Sequence, residues 1–274
     1  NQLTGEIPSE IGNLTNLTYL SLRENDHTGE IPSEIGNLLN LIELDLIGIF
    51  NLSGEIPNSI WGLENLVSLE IGPSPFLNEW EISFEVVNLI NLEKLVLQQS
   101  NLVGEIPEYI GDLTNLKWLY LNSNNLSGSI PENIGNLPNL EHLILYNNNL
   151  NGEIPIEFDS MNLTHIMLSD NQLSGNIHPE IDNLINLTDL TLSGNFFSGN
   201  IPVEIGNLTS LNRLWLSNNQ FSGYIPESLC NIYPDLNSFN INNNNLCPLY
   251  PECLAEEDIG DQDTSECEEC SFVP

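Results

Sequence analysis

Leucines recur along the chain in a fixed frame of polar positions. The stretch from Leu17 to Asn25 reads Leu-x-x-Leu-x-Leu-x-x-Asn, and it returns from Leu116, Leu140, Leu187 and Leu211. Weaker copies start at Leu41, Leu66, Leu92, Leu163 and Leu236, which makes ten predicted strands. The alternation in Leu-x-Leu places apolar side chains on one face of an extended segment and the x residues on the other. A second motif punctuates the return path: Gly5-Glu6-Ile7-Pro8, Gly29-Glu30-Ile31-Pro32, Gly54-Glu55-Ile56-Pro57 and Gly104-Glu105-Ile106-Pro107. It comes back at Gly128, Gly152, Gly199 and Gly223, and at Gly175 with His178 before Pro179. The steps between these glycines are 24, 25, 50, 24, 24, 23, 24 and 24 residues. The double step holds one degenerate repeat, in which Trp80-Glu81-Ile82-Ser83 takes the motif's place.

One such repeat cannot bury its leucines alone, whereas a stack of repeats shares one continuous core. The recurring asparagine falls where the chain must turn. Its amide is expected to satisfy backbone groups of that turn and of the next coil, which would otherwise be buried unpaired. The expected solenoid spans residues 1–246, followed over 247–274 by a cysteine-containing acidic cap or tail.

The combined pattern, Leu-x-Gly-x-Ile-Pro-x-x-Ile-Gly-x-Leu-x-x-Leu, resembles the plant-type leucine-rich repeats of polygalacturonase inhibitors and receptor-kinase ectodomains. Similar repeats occur in secreted proteins of marine bacteria. The resemblance covers about residues 1–250. It implies an α/β solenoid, a right-handed superhelix of about ten repeats of ~24 residues with a parallel β-sheet on its concave side. It also implies recognition of proteins, peptides or glycans on that sheet. The segment from Asn245 to Cys253 resembles the C-terminal caps of these proteins.

Two places break the rhythm. Ile47-Gly48-Ile49-Phe50 replaces the usual turn and adds a residue, and the run from Ile71 to Trp80 adds about two more. The expectation is that Phe50, Phe76 and Trp80 fill the core where the consensus glycine is lost.

Charge narrows the partners. The 274 residues carry 39 Asp and Glu against 4 Lys and Arg, a formal net charge of −35. Nucleic acid is excluded as a partner, because phosphate binding needs a basic patch. No apolar run is long enough to cross a membrane, so no membrane insertion is expected within this segment. The chain opens inside a repeat, at Asn1-Gln2-Leu3-Thr4-Gly5, so a cap or neighbouring repeat is expected before it.

All five cysteines, Cys230, Cys247, Cys253, Cys267 and Cys270, lie near the C-terminus. Clustered in this way they suggest a disulfide-closed cap and an extracellular or cell-surface location. Cys230 is expected to pair with Cys253 or Cys247, and one thiol is left over. Cys267-Glu268-Glu269-Cys270 has zinc-like spacing but no second pair, so no metal and no cofactor is expected. Sequons stand at Asn13, Asn16, Asn51, Asn125, Asn162, Asn186 and Asn207. They are candidate glycosylation sites, although Asn-Leu-Thr and Asn-Leu-Ser also belong to the repeat itself.

The x positions of the strands form columns on the sheet face. One runs Tyr19, Glu43, Ser68, Lys94, Trp118, His142, His165, Asp189, Arg213, Ser238; the next runs Ser21, Asp45, Glu70, Val96, Tyr120, Ile144, Met167, Thr191, Trp215, Asn240. The four basic residues, Arg23, Lys94, Lys117 and Arg213, fall in variable positions of the leucine frame, whereas Glu6, Glu30, Glu55, Glu105 and Glu153 form a ladder beside the glycines and prolines. The sheet face is therefore expected to be the least negative surface. The predicted ligand-binding set is Lys94, Trp118, Tyr120, His142, Ile144, Tyr146, His165, Met167, Arg213 and Trp215, with aromatic contact area at its centre and cations flanking it. No phosphate loop, nucleophile elbow or His-Glu-x-x-His sequence is present, so catalysis is not expected. The leading expectation is an extracellular recognition module for a protein, peptide or glycan. The alternatives are end-to-end self-assembly into filaments and, from the resemblance, inhibition of a secreted hydrolase.

Overall fold

A computed structural model describes residues 2–267, apart from the side chains of residues 159 and 160. The chain forms two compact units, Asn1–Leu150 and Asn151–Pro274. Each is a stack of coils, and the ten strands marked by the leucine frame all form. In the first unit Tyr19–Ser21, Glu43–Ile47, Ser68–Gly72, Lys94–Leu97, Trp118–Tyr120 and His142–Ile144 pair in parallel, in chain order. In the second, His165–Met167, Asp189–Thr191, Arg213–Trp215 and Ser238–Asn240 do the same. The leucines between the x positions point inward: Leu44, Leu69, Leu95, Leu119, Leu143 and Leu214 have no exposed surface.

The return path is also regular. After each glycine motif, proline enters a five-residue 3-10 turn such as Ser33–Asn37 or Glu108–Asp112. Proline suits the entry because it is pre-set in φ and its missing N–H would have no partner there. The carbonyl of Pro107 then accepts from the amide of Ile110 at 3.0 Å, and Ile110 is fully buried. The glycine after that isoleucine is a packing requirement. A Cβ on Gly111 would lie 2.2 Å from the carbonyl oxygen of Asn133 in the following coil. A second set of short strands closes the coils: Thr4–Glu6, Asp26–Gly29, Asn51–Gly54 and Phe76–Leu77 form one sheet in the first unit, and Val103–Glu105 pairs with Asn125–Ser127. In the second unit Asn151–Gly152, Gln172–Gly175, Phe196–Asn200, Gln220–Tyr224 and Asn245–Cys247 form a five-stranded sheet.

The asparagine ladder works as expected with one correction of direction. Asn124 donates to Leu121 O of its own turn at 2.9 Å and to Leu97 O at 2.7 Å, and accepts from Ser100 N and Leu102 N at 3.0 and 3.1 Å. These cross-coil partners belong to the preceding coil, not the next one. Because the side chain leans back along the stack, Asn219 and Asn244 repeat the arrangement in the second unit.

The irregular region departs from expectation. Phe50 and Phe76 are 56% and 64% exposed, so they do not fill the core. Ile49, in the ladder asparagine's position, is fully buried instead, and Ser74 and Ser100 hold the next two positions with hydroxyls donating to Ile49 O and Leu97 O. Only Trp80 turns inward as expected, its indole N–H donating to Ser100 O at 2.7 Å and its ring 6.4 Å from that of Trp61.

The C-terminal cap contains Cys230–Cys253 and Cys247–Cys267 disulfides. Of the two partners left open for Cys230, the structure selects Cys253. The second disulfide removes Cys267 from any zinc pair, and Cys270 lies outside the described residues. The coil pattern runs past residue 246. Gln262 donates to Ile241 O and Ile259 O and accepts from Leu246 N, the same three bonds that Asn244 makes one coil earlier.

Candidate ligand-binding face

The parallel register fixes which x residues are neighbours. Trp118 lies between Lys94 and His142, and Tyr120 lies between Val96 and Ile144. Strand spacing of about 4.8 Å brings such side chains into contact. Tyr120 Oη and His142 Nδ1 share a hydrogen bond of 2.7 Å, with the rings stacked at 5.9 Å and 13°. Trp118 meets His142 edge-on, with centroids 6.3 Å apart. All three rings are half-buried, offering faces that are partly desolvated already. Burial, and after it the charge of Glu70, pushes the Tyr120 phenol above the ordinary tyrosine pKa. Tyr146 is 36% exposed beside this cluster, but Ile144 is only 6% exposed. Ile144, buried although it stands in an outward column, therefore offers little surface to a ligand.

In the second unit His165 and Arg213 flank Asp189, with His165 Nε2 3.4 Å from one carboxylate oxygen and Arg213 Nη1 3.1 Å from the other. The Arg213 guanidinium lies 5.2 Å from the Trp215 ring centre, and Trp215 Nε1 donates to Ser238 Oγ at 2.8 Å. Met167 is half-buried on the same face, opposite Thr191. The predicted residues thus form two described clusters, one in each unit.

The flanking cations are not free to orient a ligand. Lys94 Nζ is 2.7 Å from Glu70 Oε1, Lys117 Nζ is 2.7 Å from Glu93 Oε2, and Arg23 Nη1 is 3.7 Å from Asp45 Oδ2. Sequence reasoning missed these acids as members of the site. The signal was present, since Glu70 and Glu93 each precede their lysine by 24 residues, one coil of the stack.

All seven sequon asparagines are exposed. Asn125, Asn186 and Asn207 use their amides toward Asn101, Asn162 and Asp182. Among the described residues no group of three or more His, Cys, Asp or Glu is placed to hold a metal ion, and no helix is long and apolar enough to cross a membrane.

Leucine-rich-repeat family models match residues 90–150, 114–173, 16–38, 186–208 and 210–232. A plant ice-binding protein of known structure is 32% identical, over 82% of this chain and 73% of that one, with a TM-score of 0.72. The chain belongs to the leucine-rich-repeat family. It is also similar to a TDR receptor, at 34% identity and a TM-score of 0.83 over 91% of this chain and 43% of the receptor. The plant peptide hormone receptor RGFR1, solved in complex with RGF2, is 35% identical over 92% of this chain and 48% of the receptor, with a TM-score of 0.66. The chain spans less than half the length of these two receptors. No curated protein sequence matches it.

Proposed function

We propose that this repeat protein is an extracellular recognition module, not an enzyme, that binds a peptide or protein segment on the outward face of its parallel sheet. The observation that carries the reading is the cluster of Trp118, Tyr120 and His142, locked together by stacking and a hydrogen bond yet still open to solvent. Rigid aromatic side chains on a fixed scaffold give contact area at little entropic cost, which is how binding hot spots are built. Tyr146 extends this area. The similarity to a peptide hormone receptor supports the reading, and the disulfides suit an oxidising compartment.

The test is selection from a displayed peptide library, followed by titration of the captured sequences against the double variant Trp118→Ala, Tyr146→Ala. Capture is expected to fall by about a hundredfold, as for the loss of two aromatic hot-spot residues, with little change in unfolding temperature. Unchanged affinity in the variant would overturn the reading. Capture of glycans alone, in a parallel array, would overturn its ligand class.

A further inference from the structure

We infer that the sheet face of the first unit takes a cationic segment, an extended Lys- or Arg-bearing stretch of a peptide or protein. The inference rests on the proposed use of that face and adds the chemistry of the partner. It starts from the count of charges. Each of the 4 Lys and Arg residues already faces a carboxylate: Arg23 with Asp45, Lys94 with Glu70, Lys117 with Glu93 and Arg213 with Asp189. An acidic ligand would have to break these pairs and would find no replacement positive charge. A basic ligand meets the reverse situation. Glu43 is exposed on this face and makes no ion pair among the described residues.

The placement of Glu43 gives the inference its geometry. In the register of the sheet Glu43 stands between Tyr19, which is 54% exposed, and Ser68. An exposed ring beside an unpaired carboxylate suits a guanidinium or ammonium, through cation–π contact and charge together. The half-buried Trp118 ring, in the same row, already has Lys117 Nζ 6.0 Å from its centre, so it adds apolar contact area to the row rather than a second cation site. The row from Tyr19 to His142 crosses six strands, a span of roughly 24 Å, which an extended segment of about seven residues covers. The protein's net charge of −35 would draw such a partner in from a distance, with an on-rate that falls as salt rises.

The overall negative charge attracts any cation, so the experiment has to separate the face from the field. Labelled short peptides of alternating arginine and leucine, and of alternating glutamate and leucine, are titrated into the protein by fluorescence anisotropy. Glu43→Lys is compared with Glu30→Lys, which makes the same change in net charge at an exposed position in the glycine-proline row. The arginine peptide is expected to bind and the glutamate peptide not to. Glu43→Lys is expected to weaken binding roughly tenfold and Glu30→Lys less than about twofold. Equal losses in the two variants would overturn the inference, leaving only general attraction to an acidic protein. No binding by either peptide would overturn it too. Tighter binding of the glutamate peptide would overturn the cationic class alone if Trp118→Ala abolished that binding, and would count against the aromatic face as well if Trp118→Ala left it intact.

Discussion

The side-chain amide of Asn219 donates to the carbonyl oxygen of Leu192, 27 residues earlier, at 2.9 Å. The same amide donates to Leu216 O at 3.1 Å, while its oxygen accepts from Phe197 N at 3.0 Å. One short side chain therefore satisfies backbone groups of two coils in a place that water does not reach. Asn219→Ala is expected to destabilise the protein by about 3 kcal/mol, since buried groups left without partners cost about 1–3 kcal/mol each. Urea unfolding measures this, and a loss below about 1 kcal/mol would mean that solvent enters and takes over the bonds.

Close approach of adjacent coils predicts a contrast between two glycines. Gly111→Ala would put a methyl group against the Asn133 carbonyl, and a shift of the coil is expected to cost about 2 kcal/mol or more. Gly62, one position later in its own 3-10 turn, has nothing within 4 Å of a built Cβ. Gly62→Ala is expected to leave stability unchanged or raise it by about 0.5 kcal/mol through the unfolded chain. Thermal unfolding of the two variants side by side reads the difference.

The cap supplies a pH dependence. The Tyr233 hydroxyl donates to the Asp258 carboxylate, and this bond is the main reason its pKa is pushed up to about 12. The group ionises at about 10 in the unfolded chain, so the bond's contribution is complete below that pH. It is lost as pH rises from about 10 through about 12. Tyr233→Phe is expected to flatten that part of the stability profile and to remove the highest-pH phase of a spectrophotometric tyrosine titration. An unchanged titration would show that the bond does not form in solution.

The Cys230–Cys253 disulfide closes a loop with a sequence separation of 23 residues. Replacing both cysteines by serine is expected to destabilise by about 3 kcal/mol, from the freedom returned to the unfolded chain. Hydrogen exchange should rise first between the strand Ser238–Asn240 and Gln262, where the last coil depends on the cap. Uniform acceleration across the second unit would instead place the disulfide's effect on the whole stack.

Much of this was legible beforehand. The leucine frame located all ten strands because an in–out alternation repeated at one-coil intervals has few other ways to bury its apolar side. It also placed Trp118, Tyr120 and His142 on one face, since parallel in-register pairing makes equivalent positions neighbours. Phe50 and Ile49 show where that logic stops. Both are large and apolar, and only the path of the inserted residue decides which one enters the core. Ile144 likewise occupies an outward column yet is covered by its neighbours, which depends on their size and rotamers.

The sequence by itself determined the repeat, the strand faces, the asparagine ladder and the acidic character of the chain, because each is a periodic or additive property of local residues. Only the tertiary structure decided that the ladder reaches back to the preceding coil, that Cys230 joins Cys253, and that Gln262 completes one more turn in place of an asparagine. It alone showed each cation paired with an acid and Glu43 without an ion pair among the described residues. Those outcomes depend on distances between atoms of neighbouring coils, which spacing along the chain suggests but only packing sets.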